Sequence, residues 1–180
     1  MSAVLVSRKR NRGWSALVAG LLAVIALCTG PATASASEGT LVQFSNRNSG
    51  LCMSLPGDVV VAGARIDQWH CGGFLDQYWY WNPSDSHPGW GYIQPQQNDS
   101  LCATYVPGTN ANLTLQPCGT NAAGGNFNTQ LWHYDAGSLK MQTMQGWSMS
   151  VPGASTAKNT NINIHSYGPS PDQFWVATLE

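Results

Sequence analysis

The chain is expected to be an all-β protein in which one supersecondary unit is used three times around a common core. Gln77-Tyr78-Trp79, Gln130-Leu131-Trp132 and Gln173-Phe174-Trp175 repeat a Gln-x-Trp tripeptide at intervals of 53 and 43 residues. Pro56-Gly57, Pro107-Gly108 and Pro152-Gly153 stand about 20 to 23 residues before each Gln, so the repeat is a whole structural unit rather than a chance triplet. Composition agrees, because beyond the first 36 residues the chain is poor in charge and rich in Gly, Asn, Ser and Trp, which suits short strands joined by many turns.

The first 36 residues read as a secretory signal peptide. Arg8, Lys9, Arg10 and Arg12 precede the apolar run Ala16 to Leu27, and small residues lead to Ala34-Ser35-Ala36, where cleavage is expected. The apolar run is short for a membrane span of about 20 residues, and no second one follows. Cys28 follows Leu27 rather than a small residue, which argues against a lipid anchor. A secreted, extracellular chain beginning at Ser37 is therefore expected.

Removing the leader takes four of the eight Lys and Arg and none of the nine Asp and Glu. Four basic residues against nine acidic leave a net charge of −5, which disfavours nucleic acid as a partner because phosphate binding needs a basic surface. The remaining 144 residues make one domain, with a monomer expected.

Repeat one runs from about Leu41 to Trp81, repeat two from about Gly91 to Tyr134 and repeat three from about Gly137 to Leu179. Within repeat one, β-type runs fall at Leu41 to Phe44, Cys52 to Leu55, Arg65 to Trp69 and Tyr78 to Trp81. No convincing helix is seen, and four strands per repeat give roughly twelve in all, best hidden in a closed barrel capped by hairpins. Asn82 to Trp90 and Gly119 to Asn128 read as surface loops.

Cys52 and Cys71 are 19 residues apart in repeat one, and Cys102 and Cys118 are 16 apart in repeat two. Repeat three carries Ser148 and Tyr167 in the corresponding places, so two partners are lost together. This favours one local bridge per repeat, although four cysteines permit three connectivities. Each bridge is expected to contribute about 2 to 4 kcal/mol and fits an oxidising compartment.

Cys52-Met53-Ser54-Leu55-Pro56-Gly57, followed by Gly63, Ile66, Trp69, Cys71 and Gln77-Tyr78-Trp79, resembles one repeat of the ricin-type β-trefoil lectins, and the likeness covers nearly the whole mature chain. The resemblance implies a β-trefoil in which Trp79, Trp132 and Trp175 are core and Gln77, Gln130 and Gln173 tie down local backbone. It also implies carbohydrate as partner, either a galactose-type sugar or a plant or microbial polysaccharide, at shallow sites each built within one repeat. Such a site takes an Asp two residues after the first Cys, an aromatic ring two before the second, and an Asn just before Gln-x-Trp.

The sequence departs from that pattern wherever the Asp is due, since Ser54, Thr104 and Ser150 stand there. Repeat one keeps Trp69 for stacking and has Asp67, Asp76 and the loop residue Asp58 as replacement carboxylates; the plainer reading has Asp67 and Asp76 solvated and Trp69 shielding the bridge. Repeat three offers His165, Asn163, Asp172 and Ser150. Repeat two, with Gln116, Thr104 and Thr129, is expected to be silent unless Tyr105 supplies a displaced ring.

No catalytic constellation is visible: there is no Gly-x-Ser-x-Gly elbow, no zinc motif and no phosphate-binding glycine loop. His70, His87, His133 and His165 lack metal-ligand spacing, and Asp67 with Asp76, the only pair suggestive of glycoside hydrolysis, reads as lying in one loop region. Neither enzymatic activity, a metal nor a cofactor is expected. The competing expectation is a protein-binding trefoil, an inhibitor or toxin-complex subunit, whose sugar sites have decayed.

Overall fold

The computed structural model describes residues 39–108, 110–119 and 129–180. The expected leader and most of the segment expected to be a loop, Gly119 to Asn128, lie outside the described residues.

Among the described residues there are thirteen strands, with short 3-10 turns between some of them. In repeat one these are β1 (Thr40–Asn46), β2 (Leu51–Ser54), β3 (Asp67–His70) and β4 (Trp79–Pro83). Repeat two contributes β5 (Gly91–Pro95), β6 (Leu101–Thr104), β7 (Thr114–Pro117) and β8 (Trp132–Asp135). Repeat three contributes β9 (Lys140–Thr143), β10 (Trp147–Ser150), β12 (Asn163–Ser166) and β13 (Trp175–Leu179), plus the two-residue β11 (Thr160–Asn161). The extra strand is the one addition to the expected twelve.

The outer strand of each unit pairs around a ring. β1 pairs β4, β4 pairs β5, β5 pairs β8 and β8 pairs β9, a Lys140–Phe174 bridge joins β9 to the start of β13, and β13 returns to β1 through Val42–Leu179 to Asn46–Trp175. Closure leaves no ring edge to recruit another chain. The hairpins β2–β3, β6–β7 and β10–β12 cap one end. At their centre the backbone N–H of Ile66 donates to the Leu113 carbonyl (3.0 Å), that of Leu113 to Ile162 (2.8 Å) and that of Ile162 to Ile66 (3.0 Å), a closed triangle of three fully buried residues.

The Gln-x-Trp residues do the same work three times. Each indole is fully buried and donates to a carbonyl of its own hairpin: Trp79 to Met53 (3.2 Å), Trp132 to Ala103 (3.0 Å) and Trp175 to Met149 (3.1 Å). Each Gln amide donates to one carbonyl and accepts one N–H across the turn before it. Gln77 joins His70 and Gly72, Gln130 joins Pro117 and Gly119, and Gln173 joins Ser166 and Gly168. A buried indole needs its N–H satisfied, and the small core residue Ala103 sits where the other hairpins have Met53 and Met149.

In the same repeat Tyr105 is fully buried, stands edge-on to Trp132 with centroids 5.2 Å apart and donates its hydroxyl to Gln145 (2.6 Å). Tyr105 is thus core, not a displaced stacking ring. Both bridges form as expected, Cys52–Cys71 and Cys102–Cys118. In repeat three Tyr167 lies instead under the Lys140 ammonium, 4.1 Å from its ring centroid.

Candidate functional site

The β2–β3 pairing places Ser54 directly opposite Asp67. The carboxylate absent two residues after Cys52 is therefore supplied from the facing strand at the same level of the hairpin. Trp69 lies two residues further along β3 opposite Cys52, on the same side of the pleat as Asp67. The turn Leu75–Gln77 brings Asp76 beside them, where its Oδ2 accepts the Ser54 hydroxyl at 2.5 Å.

These residues line one cavity of about 310 Å³, together with Asp58, Phe74 and Asn159. Pro56–Asp58 forms a turn with Gly57 and Asp58 both at positive φ, which carries Asp58 over the rim; its Oδ1 accepts from the Gln97 amide at 2.5 Å. Asp67 and Asp76 are thus not confined to one loop: they reach the cavity from a strand and from a turn.

Asp67 is 1% exposed, so the reading of it as solvated is wrong. Neither of its carboxylate oxygens has a hydrogen-bond partner. Arg65 Nη2 stands 3.9 Å from Oδ2, too far for a hydrogen bond, and its Nη1 donates to Asn161 instead (2.8 Å). Burial pushes the Asp67 carboxyl up to about 6, with Arg65 pulling it down and Asp76 adding to the rise. Trp69 is half-buried, with the Lys158 ammonium 4.8 Å from its ring centroid.

The site is not built within one repeat. Asn159 comes from repeat three, held by its backbone N–H to the Gln68 carbonyl (3.0 Å) and by the pairing of β11 with β3. Phe74, 55% exposed, follows Gly72-Gly73 on the opposite wall. Sequence reasoning missed both; a Phe in a Gly-rich turn was the available signal for one, and nothing local marks Asn159.

Repeat three forms a smaller cavity, about 270 Å³, around Ser150, Asn163, His165 and Asp172. Ser150 faces Asn163 across β10–β12, so an amide stands where repeat one has Asp67. Asp172 is buried and fully engaged, accepting from the Ser150 hydroxyl, the Val151 N–H (3.1 Å) and the Ser170 hydroxyl. His165 is exposed. In repeat two Thr104 faces Thr114 and receives the Gln130 amide at 3.0 Å, leaving neither acid nor ring at the corresponding positions.

Among the described residues, no three His, Cys, Asp or Glu side chains gather to hold a metal ion, and no helix is long and apolar enough to cross a membrane.

Comparison with solved structures supports the fold. A designed threefold-symmetric protein, ThreeFoil, superposes with a TM-score of 0.61 at 20% identity, over 76% of this chain and 96% of that one. The C-half of an earthworm R-type lectin, solved in complex with GalNAc, gives 0.62 at 14% identity over 78% and 99%. A part of 1,3Gal43A, an exo-β-1,3-galactanase from Clostridium thermocellum, gives 0.65 at 24% identity over 78% of this chain and 30% of that one. No curated protein matches the chain by sequence. A family model described as the ricin-type β-trefoil lectin domain matches residues 40–175, and with the threefold Gln and Trp geometry in place, the chain belongs to the ricin-type β-trefoil lectin domain family.

Proposed function

We propose that the protein is a secreted, non-enzymatic carbohydrate-binding module whose principal site is the repeat-one cavity. The observation that carries this reading is the convergence of Asp67, Asp76 and half-exposed Trp69 on one cavity of about 310 Å³. A sugar presents an apolar C–H face and a rim of hydroxyls. An indole matches the first, and carboxylates accept from adjacent hydroxyls in charge-assisted hydrogen bonds. Asp67 has two oxygens with nothing to accept from, which is costly for a buried group and is relieved when a ligand hydroxyl arrives.

Trp69 stacks the ring, Asp67 and Asp76 hold hydroxyls, Ser54 orients Asp76 through its hydroxyl, and Asp58 closes the rim. Repeat three serves as a weaker second site, with His165 for stacking and Asn163, Ser150 and Asp172 around it. Two such sites on one rigid body strengthen attachment to a polymer by avidity. A galactose-type sugar or a plant or microbial polysaccharide is the ligand class in view, and the protein acts as a monomer. The GalNAc held by the earthworm lectin accords with this class.

A protein-binding role has one observation in its favour, the exposed apolar residues Val59, Val61, Phe74 and Leu75 near the same cavity. The acidic cavity beside Trp69 favours the sugar reading.

A glycan and polysaccharide array with the oxidised mature protein, followed by titration watched through Trp fluorescence, tests it. Saturable binding lost in Trp69→Ala with both bridges intact supports the proposal. A blank across monosaccharides, glycans, cellulose, xylan and chitin overturns it and favours a protein partner.

A further inference from the structure

Resting on that reading of the repeat-one cavity, we infer that its ligand is a cationic amino sugar, a 2-amino-2-deoxyhexose with a free, protonated amine, held between Asp67, Asp76 and Asp58 over the Trp69 ring.

The charge of the cavity points to this. Three of its lining residues are aspartates, and no Lys, Arg or His lines it. A neutral hexose is well served by a single carboxylate; here three surround one cavity, with Asp67 buried and the Arg65 guanidinium 3.9 Å from its Oδ2 as a partial countercharge, and carboxylates so gathered favour a cation between them. Burial above all holds the Asp67 carboxyl up, Arg65 offsets part of the rise and the neighbouring Asp76 adds a smaller amount to it. A ligand cation removes that penalty and supplies the hydrogen bonds both Asp67 oxygens lack.

A bare metal ion is the obvious rival, but these carboxylates are not gathered as a coordination group. An ammonium carried on a ring has the reach a metal lacks: three N–H donors at one corner and hydroxyls around the rest can meet acceptors spread over a sugar-sized cavity. The Trp69 ring already holds a cation in the free protein, since the Lys158 ammonium lies over it at 4.8 Å. Trp is the side chain whose face attracts ammonium groups best, so Lys158 stands where the ligand's charge would be welcome and leaves when it binds.

Because Asp67 is buried, the ligand reaches it as the lip formed by Asn159 and the Lys158 chain gives way. Asn159 is held there at positive φ, on a segment joined to β3 by the two β11 pairs, by the Asn159 N–H to the Gln68 carbonyl and by the Gln68 amide to the Ser155 and Ala157 carbonyls.

The experiment titrates the oxidised mature protein by calorimetry at about pH 7 and physiological salt with five probes. These are a tetramer of glucosamine, galactosamine, the N-acetylated counterpart of each, and spermine as a cation without a ring. The expected result is binding of the free amines at least tenfold tighter than their N-acetylated forms, abolished in Asp67→Asn and in Trp69→Ala and strengthened in Lys158→Ala. Asp67→Asn keeps the size of the side chain, and an unchanged circular dichroism spectrum with a cooperative melting transition no lower than that of the parent protein certifies the fold. N-acetylated or neutral sugars binding as tightly as the amines through Trp69 overturns the inference and leaves the sugar reading standing. Spermine binding equally well reduces the effect to bulk charge and also overturns it. No saturable binding by any sugar removes both.

Discussion

Asp67 and Asp76 line the same cavity but differ in their hydrogen bonding: Asp76 accepts the Ser54 hydroxyl at 2.5 Å, while both oxygens of Asp67 accept nothing. One carboxylate is held in place and the other is left in reserve. Asp67 faces Ser54 across the hairpin, whereas Asp76 comes to the same serine from the turn Leu75–Gln77.

Stability should report the unpartnered acid. Its folded value, about 6, lies above the ordinary carboxylate value of 3.8, so the native state binds the proton more tightly than the unfolded chain. Asp67 therefore weakens the fold at about pH 7, and the penalty fades as pH falls through 6 and is gone below the unfolded value. Arg65, Asp76 and the bound state of the cavity set its size. Asp67→Asn should raise stability by about 1 to 3 kcal/mol at pH 7, with a gain that shrinks towards pH 4.5 in paired urea unfolding curves. Equal curves at pH 7 would show that Asp67 carries no such penalty.

In repeat three, Lys140 takes the place that Gln43 has in repeat one. Gln43 Nε2 donates to the Gly72 carbonyl (3.2 Å) and Gln77 Oε1 (3.4 Å); Lys140 Nζ donates to Gly168 and to Gln173 Oε1. Lys140 is 3% exposed and burial lowers its pKa. Lys140→Gln should hold stability within about 1 kcal/mol, whereas Lys140→Ala, which strands the Gln173 clamp, should cost about 1 to 3 kcal/mol. Thermal unfolding of the two variants side by side decides it.

A third bridge should be accepted where the first two repeats have theirs. Ser148 is buried with an unpartnered hydroxyl, so Ser148→Cys removes little, and Tyr167→Cys exchanges a ring over which Lys140 sits for the covalent link. The double variant should form the bond and gain about 2 kcal/mol, less the lost ring contact. A non-reducing peptide map and the melting temperature with and without reductant give the answer.

The three indoles should fail alike. Trp132→Ala opens a cavity against Tyr105 and strands the Ala103 carbonyl, which should cost about 3 to 5 kcal/mol. Trp69→Ala, at a half-buried hairpin position, should cost about 1 kcal/mol and leave the fold intact. A chemical denaturation series that ranked the two together would undo the distinction between core and site.

Much of this was legible because the repeats speak three times. Gln77, Gln130 and Gln173 make equivalent contacts, and the missing Cys pair at Ser148 and Tyr167 located the two bridges. Strand identity followed from turn residues and β-type runs. Asp67 was legible as a candidate but its burial was not, because burial depends on the register of β3 against β2 and on a lip from repeat three, over 90 residues away in sequence. Tyr105 was misplaced for a related reason: its burial depends on packing against Trp132 from the far end of the repeat, and only paired volumes reveal that a ring is accommodated there.

The triangle of backbone hydrogen bonds among Ile66, Leu113 and Ile162 gives each repeat one donor and one acceptor that no repeat can satisfy alone. In this respect the chain is a trimer whose subunits happen to be covalently joined. Cutting it in the connector between Pro83 and Trp90 would leave one fragment with a single corner of the triangle and another with two. The ends of each are complementary, so the pieces carry within them the instruction to find each other again.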